Sequence, residues 1–190
     1  VTFLASASTG DGTPENPIII MDQAGMEAIG ASDASKALSY KLGKNIILSS
    51  TYASISGFSG TFDGNGNAIY LNGTANGLFA DTKSTATVKN VVTYGTVNGG
   101  TNQKVAAIAG TNNGKIINCV NNANIVAGAY AAGIVGYSLR SSSLSYCENY
   151  GTIDSSGSRV GGIVGYILAG EVATCSNAGY IEGDGNGVAG

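Results

Sequence analysis

The sequence predicts an all-β fold, a parallel β-helix with about 28 residues in each coil of the solenoid. The first observation is that two separate columns of the sequence recur at one constant interval: Val91, Cys119, Cys147, Cys175 and Val97, Ile125, Ile153, Ile181. The second is that each repeat holds about three short apolar pieces separated by Gly, Asn, Ser and Thr, which is typical of strands and turns. Such short units bury their apolar side chains only by stacking in parallel, about 4.8 Å apart.

The repeat assigns a role to each column. The cysteines form an inward column of small hydrophobic side chains, which we expect to be free thiols, since in-register stacking holds them too far apart for a disulfide. A ladder of stacked amides is expected from Asn121, Asn149 and Asn177. A further column is formed by Gly95, Ala123, Gly151 and Gly179. We expect it to lie at a corner of the coil where only a residue with a very small side chain fits. The predicted core comprises Ile116, Leu144, Val172, Cys119, Cys147, Cys175, Ile125, Ile153 and Ile181.

Residues 1–190 are expected to form a single domain, with a cap region at 1–39 and coils over 40–190. We expect a strand at residues 1–4, a turn, and a second strand at 18–21. Asp22 is a suitable N-cap for a short helix over about 23–31, where Met26 and Ile29 share one face. This helix is expected to cover the open N-terminal end of the solenoid. A polar connection at 32–39 then leads into the coils.

Composition narrows the classes of partner and reaction. The net charge is −3 with 43% hydrophobic residues and no cluster of Lys or Arg, so nucleic acid and membrane are poor partners for this segment. The chain has no histidine, which excludes Ser-His-Asp and Cys-His catalysis and histidine-containing metal sites. No cofactor or metal is expected. Asp63, before a Gly-Asn-Gly turn, is expected to accept backbone N–H bonds there and not to bind calcium.

Four residues are candidates for a surface binding site. Asp154 and Glu182 are one repeat apart, just after the inward isoleucines, and are expected side by side on an outer face. A solvated acidic surface is the favoured interpretation of this pair. Tyr137 and Tyr166 each follow a Gly-Ile-Val-Gly motif and could form an aromatic platform for sugar rings or a protein partner. Ordinary packing beside a glycine is the alternative for these tyrosines. Arg140 and Arg159, the two arginines, lie in loops and form no obvious clamp.

Several motifs together resemble the bacterial surface proteins that carry GLUG repeats. They are the order Gly-x-Gly-Thr-x-x-x-Pro-x-x-Ile at 10–20, Gly-Thr-Phe-Asp-Gly-Asn-Gly at 60–66, Gly-Leu-Phe at 77–79, and the repeats Gly-Ile-Val-Gly…Cys-x-Asn-x-Gly-x-Ile. The upstream copies at 77–80 and 107–110 depart from the motif, and Val91 replaces the cysteine. The resemblance implies a right-handed parallel β-helix in large secreted or wall-attached proteins, including adhesins and the non-catalytic part of immunoglobulin-cleaving metallopeptidases.

The sequence and this resemblance predict a non-catalytic adhesion or binding segment of a larger bacterial protein, at the cell surface or secreted. Its partner is expected to be a host or cell-surface protein or a glycan. A carbohydrate-active enzyme, a polysaccharide lyase or glycosidase, is one alternative, and a purely structural stalk is the other. Nothing after Ile181 resembles a cap, so we expect more coils or a cap beyond Gly190. Without them, the last coil is expected to be frayed or to be covered by end-to-end contact with a second molecule.

Overall fold

A computed structural model describes residues 9–189, in which two short helices are followed by a long series of short strands. The expected strand at residues 1–4 lies outside the described residues. The elements in chain order are β1 (Ile18–Ile20), α1 (Gln23–Ile29), α2 (Asp33–Lys36), β2 (Ser39–Leu42), β3 (Ile46–Leu48), β4 (Thr61–Asp63), β5 (Ala68–Thr74), β6 (Phe79–Asp81), β7 (Thr87–Lys89), β8 (Val92–Asn98), β9 (Val105–Ala106), β10 (Ala109–Asn112), β11 (Lys115–Ile117), β12 (Val120–Asn121), β13 (Asn124–Ala127), β14 (Ala131–Ala132), β15 (Val135–Ser138), β16 (Ser143–Ser145), β17 (Glu148–Asn149), β18 (Ile153–Ser155), β19 (Val160–Gly161), β20 (Val164–Ile167), β21 (Glu171–Ala173), β22 (Ser176–Asn177), β23 (Ile181–Gly183) and β24 (Val188–Ala189).

The strands stack into four parallel sheets that run along the solenoid axis. Sheet A is β1-β2-β4-β7-β11-β16-β21, and sheet B is a nine-stranded sheet built from β3, β5, β8, β12, β13, β17, β18, β22 and β23. Sheet C is β6-β10-β15-β20, and sheet D is β9-β14-β19-β24. In each regular coil the chain passes from sheet A to B, then D, then C. The predicted parallel β-solenoid is therefore confirmed.

The period is regular in the later coils and shorter in the first ones. Val88 pairs with Ile116 and Ile116 with Leu144, so these coils have the predicted length of about 28 residues. Tyr40 pairs with Phe62 and Phe62 with Val88, which makes both earlier coils shorter than the later ones. A regular coil such as β11–β15 has five short strands and not the expected three. Of the four interruptions in this coil, two contain a left-handed residue, Asn118 or Tyr130, whose backbone breaks the strand pairing.

The predicted N-terminal helix is present and packs against the first coils. Asp22 is its N-cap and accepts the backbone N–H of Gly25 at 2.9 Å, and Met26 and Ile29 are fully buried in the solenoid core. The Gln23 side chain accepts the N–H of Ser49, at the end of β3. The expected polar connection at 32–39 differs from the structure. It contains α2, which a Ser32–Ser35 capping box stabilises, and β2 begins at Ser39.

The predicted core is confirmed in the interior coils and wrong at the last one. Six of the nine predicted side chains are buried: Ile116, Leu144, Cys119, Cys147, Ile125 and Ile153. Val172 is 37% exposed, and Cys175 and Ile181 are only partly buried. These three residues lie in the last coil of the described chain, where no further coil covers the inward face. All three cysteines are free thiols, as expected.

The asparagine column forms the predicted amide ladder inside the solenoid. Asn121 donates to the side-chain oxygen of Asn149 at 2.8 Å, and Asn149 donates to Asn177 at 2.7 Å. Each amide also donates to a backbone carbonyl two residues ahead, which holds the corner between the two strands of sheet B in each coil. The corner glycines are required by close approach: a Cβ on Gly151 would lie 2.0 Å from the carbonyl oxygen of Ala123.

Candidate functional site

The candidate site lies between two sheets of the solenoid. It is formed where the turn that precedes each strand of sheet D, which we call the corner, packs against the strands of sheet C. Each Gly-Ile-Val-Gly motif ends in a glycine that contacts this corner. A Cβ on Gly136 would lie 2.6 Å from the carbonyl oxygen of Tyr130, and one on Gly165 would lie 2.9 Å from that of Arg159. Because these glycines have no side chain, the corner packs directly on the strand. Tyr137 follows the first of these glycines and Tyr166 follows the second. Because the corner lies directly against the strands at these glycines, the side chains of the corner residues contact the two tyrosine rings.

Three tyrosines form one aromatic cluster at this place. Tyr137 and Tyr166 pair in register on β15 and β20, with ring centroids 5.1 Å apart. Tyr130, from the corner, lies 5.5 Å from the first ring and 5.9 Å from the second, nearly perpendicular to the second. All three are partly buried. Such tilted and edge-on contacts are favourable arrangements for aromatic rings.

Two cations complete the cluster, which we call the tyrosine–cation cluster: Lys104, Tyr130, Tyr137, Arg159 and Tyr166. The Lys104 ammonium lies 5.0 Å from the ring centroid of Tyr137. The Arg159 guanidinium lies 5.0 Å from that of Tyr130 and 4.8 Å from that of Tyr166. Arg159 also donates a hydrogen bond from Nη1 to the Tyr130 hydroxyl. Cations at these distances over aromatic faces are attracted by the ring quadrupole.

The charges of the cluster are not neutralised within the described part of the chain. The ion pairs among residues 9–189 are formed by Lys36 with Asp33, Lys83 with Asp81 and Lys89 with Asp63. Within these same residues, neither Lys104 nor Arg159 has a carboxylate within 4.0 Å. Both are exposed. The cluster is therefore a locally positive surface on a chain whose net charge is −3.

The sequence-predicted residues occupy two separate places. Tyr137 and Tyr166 lie together in the cluster. Asp154 and Glu182 pair in register on β18 and β23, and both are exposed on the outer face of sheet B, as expected for a solvated acidic surface. The structure does not bring the acidic pair and the tyrosines together.

Sequence reasoning missed three members of the cluster. Lys104, Tyr130 and Arg159 were not assigned to any column because their separations along the chain are unequal and differ from the interval of the inward columns. Arg159 lies in a loop as expected, between β18 and β19, but its contacts with two tyrosine rings were not foreseen. A local signal was available: each of the three residues immediately precedes a pair of small or β-branched residues that forms a strand of sheet D.

A second exposed aromatic feature, the outer strip, follows sheet B. It consists of Ile47, Tyr70 and Tyr94, which stack in register and are 64%, 41% and 40% exposed. The two tyrosine rings are stacked with centroids 5.5 Å apart and planes 22° apart. These residues belong to the shorter early coils, so the constant interval of the later repeats did not reveal them.

Asp63 has the turn role that its sequence context predicts. Its carboxylate accepts the N–H of Asn65 at 2.8 Å and the side-chain amide of Asn90 at 3.0 Å, and it pairs with Lys89. Partial burial by itself raises the pKa of Asp63. The hydrogen bonds from Asn90 and Asn65 and the charge of Lys89 outweigh burial, so the pKa lies below its ordinary value.

Among residues 9–189, no three His, Cys, Asp or Glu side chains are grouped so that they could hold a metal ion. In the same part of the chain, no helix has the length and apolar character needed to cross a bilayer.

The fold and the cluster define a parallel β-solenoid that carries an aromatic and cationic patch on its outer surface. Comparison with known structures agrees with the fold. The structure is similar to the crystal structure of a candidate immunoglobulin A1 protease from Bacteroides ovatus, with a TM-score of 0.61 over 95% of this chain and 86% of that one, at 17% sequence identity. At this identity the likeness shows the fold alone.

The sequence is similar to a segment of halomucin from Haloquadratum walsbyi, with 29% identity over 159 residues. This match covers 71% of the chain but only 2% of the length of halomucin. No family model matches the sequence, and the resemblance to GLUG-repeat proteins is therefore not confirmed.

Proposed function

We propose that this chain is a non-catalytic segment of a larger bacterial protein, at the cell surface or secreted, and that it binds a surface protein or glycan through the tyrosine–cation cluster. The observation that carries the proposal is the gathering of three half-buried tyrosines and two exposed cations on one rigid face. Tyrosine and arginine are enriched at binding hot spots because they combine apolar area with directed polar contacts. Strands β15 and β20 hold Tyr137 and Tyr166 more precisely than a loop would.

The comparisons support an extracellular location for the proposal. Halomucin is by its name a mucin, and the other similar protein is by its description a candidate protease of immunoglobulin A1, a target outside the bacterial cell. The match to 2% of halomucin is what a segment of a much longer protein would give.

The test is binding of this chain to an array of glycans and extracellular-matrix proteins. We expect retention of one class of ligand by the wild-type chain and loss of that retention in Tyr166→Ala, which removes a ring that contacts Tyr130, Tyr137 and Arg159. Tyr180→Ala is the matched control, since Tyr180 is a more exposed tyrosine outside the cluster. Equal loss in both variants, or no retention by the wild-type chain, would contradict the proposal.

Two rival functions are separated by further observations. A purely structural stalk has no need of aromatic side chains at its surface. The cluster holds three partly buried tyrosines there, and the outer strip holds two exposed ones. A carbohydrate-active enzyme would shorten its substrate. Incubation with acidic and neutral polysaccharides, followed by size-exclusion chromatography, is expected to leave chain length unchanged. New reducing ends or unsaturated products would favour the enzyme.

A further inference from the structure

We infer that the tyrosine–cation cluster takes an acidic polysaccharide, a chain of sugar rings bearing carboxylates, that lies along the solenoid axis. This inference rests on the proposed function and names its ligand. Lys104 and Arg159 occupy the same corner position two coils apart, with Tyr130 between them. Because stacked coils are about 4.8 Å apart, the two positions are separated by about 10 Å along the axis. The site thus presents two positive charges in line, with tyrosine rings between and beside them.

The free donors of the cluster favour carboxylate groups. Lys104 has no anionic partner among the described residues, and the one side-chain hydrogen bond of Arg159 within them goes to the Tyr130 hydroxyl. The remaining guanidinium N–H groups form the planar fork that matches a carboxylate. The aromatic contacts orient both cations, so less side-chain freedom is lost when an anion binds.

Backbone pairing favours a glycan over an acidic peptide at this face. An extended peptide commonly binds by adding a strand to an open sheet edge. Here β15 pairs on both sides, with β10 and β20, and β14 pairs on both sides, with β9 and β19. Recognition therefore has to use side chains alone: tyrosine rings and hydroxyls for the sugar, and cations for its carboxylates.

Backbone strain shows that the fold itself does not require these corner side chains. Lys104, Tyr130 and Arg159 have φ of 60°, 59° and 65°, a left-handed conformation that costs a non-glycine residue about 1 kcal/mol or more. In the next coil the same position is Gly187, with φ of 82°. Glycine can therefore occupy this corner position. The three cluster residues at the same position adopt its left-handed backbone conformation less readily than glycine does.

The experiment compares binding of oligogalacturonate, which carries a carboxylate on every ring, with binding of uncharged maltooligosaccharides of the same length. Arg159→Gln and Lys104→Gln each remove one charge from the cluster. Arg140→Gln and Lys115→Gln remove the same charges from exposed positions elsewhere. We expect binding of the acidic oligomer to weaken about tenfold or more in each cluster variant and to be unchanged in the controls. Added salt is expected to weaken wild-type binding.

Two further measurements test whether the variants are folded and whether the planar guanidinium of Arg159 contributes to binding. Melting temperatures of the cluster variants should stay within about 4 °C of that of the wild-type chain, because each exposed cation–aromatic contact contributes about 1 kcal/mol or less. Arg159→Lys keeps the charge but loses the fork, so we expect it to bind more tightly than Arg159→Gln and less tightly than the wild-type chain.

Three outcomes would overturn the inference. If the uncharged oligomer binds as well as the acidic one, the ligand is not recognised by charge. If all four charge variants lose affinity equally, the attraction is non-specific. If polyglutamate binds better than oligogalacturonate and loses affinity in the same variants, the ligand is an acidic peptide. In the first and third cases the proposed binding function survives if Tyr166→Ala abolishes that binding, whereas absence of any ligand on the array refutes the function itself.

Discussion

At the scale of single residues, the corner between sheets A and B repeats a left-handed conformation in four coils. Asn90, Asn118, Tyr146 and Thr174 have φ between 52° and 55°. Asparagine tolerates this region, and here it also builds a side-chain ladder in which Asn118 donates to Asn90 and Asn90 donates to Asp63. Tyr146 and Thr174 have the same left-handed backbone but add no side-chain hydrogen bond to this ladder.

Replacing Tyr146 with Asn is expected to stabilise the protein by about 1 kcal/mol, because asparagine relieves the left-handed strain. Tyr146 is 61% exposed, so little buried area is lost. The measurement is the midpoint of urea unfolding. Tyr150→Asn is the control, since Tyr150 is also exposed but has no left-handed backbone. An equal or larger gain in the control would argue against strain at this corner.

Cys147 tests the inward column of thiols. It is fully buried between Cys119 and Cys175, and Cys147→Asp would place an unpaired charge in this column. We expect a loss of about 4 kcal/mol or more in the free energy of unfolding. Cys175→Asp should cost less, because Cys175 is only partly buried. A near-native unfolding midpoint for Cys147→Asp would show that the column does not point inward.

At the scale of elements, the amide ladder stabilises the corner that divides sheet B in every regular coil. Asn149 is fully buried, accepts from Asn121, and donates to Asn177 and to the carbonyl of Gly151. Asn149→Ala removes these bonds and leaves buried polar groups without partners. We expect a loss of about 2 kcal/mol, measured by chemical unfolding.

Asn122→Ala provides the control for this ladder. Asn122 lies next to the ladder in sequence but is only half-buried and takes no part in the ladder, so we expect a change within about 0.5 kcal/mol. Comparable losses in the two variants would mean that the inner amides contribute no more than surface ones.

The solenoid could be predicted from the sequence because its inward-facing columns repeat at a constant spacing. Stacking requires this spacing of any residue that contacts its equivalent in the next coil. The cysteine, asparagine and isoleucine columns are such residues. Corner residues facing solvent are under no such constraint, so Lys104, Tyr130 and Arg159 are unevenly spaced and were missed. α2 was also missed, because four residues held by a capping box carry no helical periodicity. Exposure of Val172 depends on what covers the last coil, which a repeat pattern does not record.

At the scale of the whole molecule, burial of the thiols should report the order in which coils open. Each coil contacts its neighbours alone, so a solenoid loses structure most readily from an uncovered end. Cys175 lies in the last coil of the described chain, and Cys147 and Cys119 lie successively deeper. Burial also raises the pKa of the Cys119 thiol, which lowers its reactivity.

We therefore expect a thiol reagent to label Cys175 first, Cys147 more slowly and Cys119 last. Mass spectrometry of peptides from partly labelled protein gives the three rates. Simultaneous labelling of all three would indicate that the coils open in one cooperative step, in which case the nearest-neighbour description fails for this protein.

The parallel stacking of the sheets also determines how the molecule responds to mechanical load. Hydrogen bonds between strands run along the solenoid axis. A force applied along that axis therefore pulls the coils apart one after another, because it does not load many hydrogen bonds in shear at the same time. The coils should then peel away singly. Each regular coil would release a contour length of roughly 90–100 Å, the extended length of its chain. A protein containing such a segment would extend in nearly equal steps as its regular coils opened and in shorter steps as the first coils opened, while the coils still folded keep their surfaces.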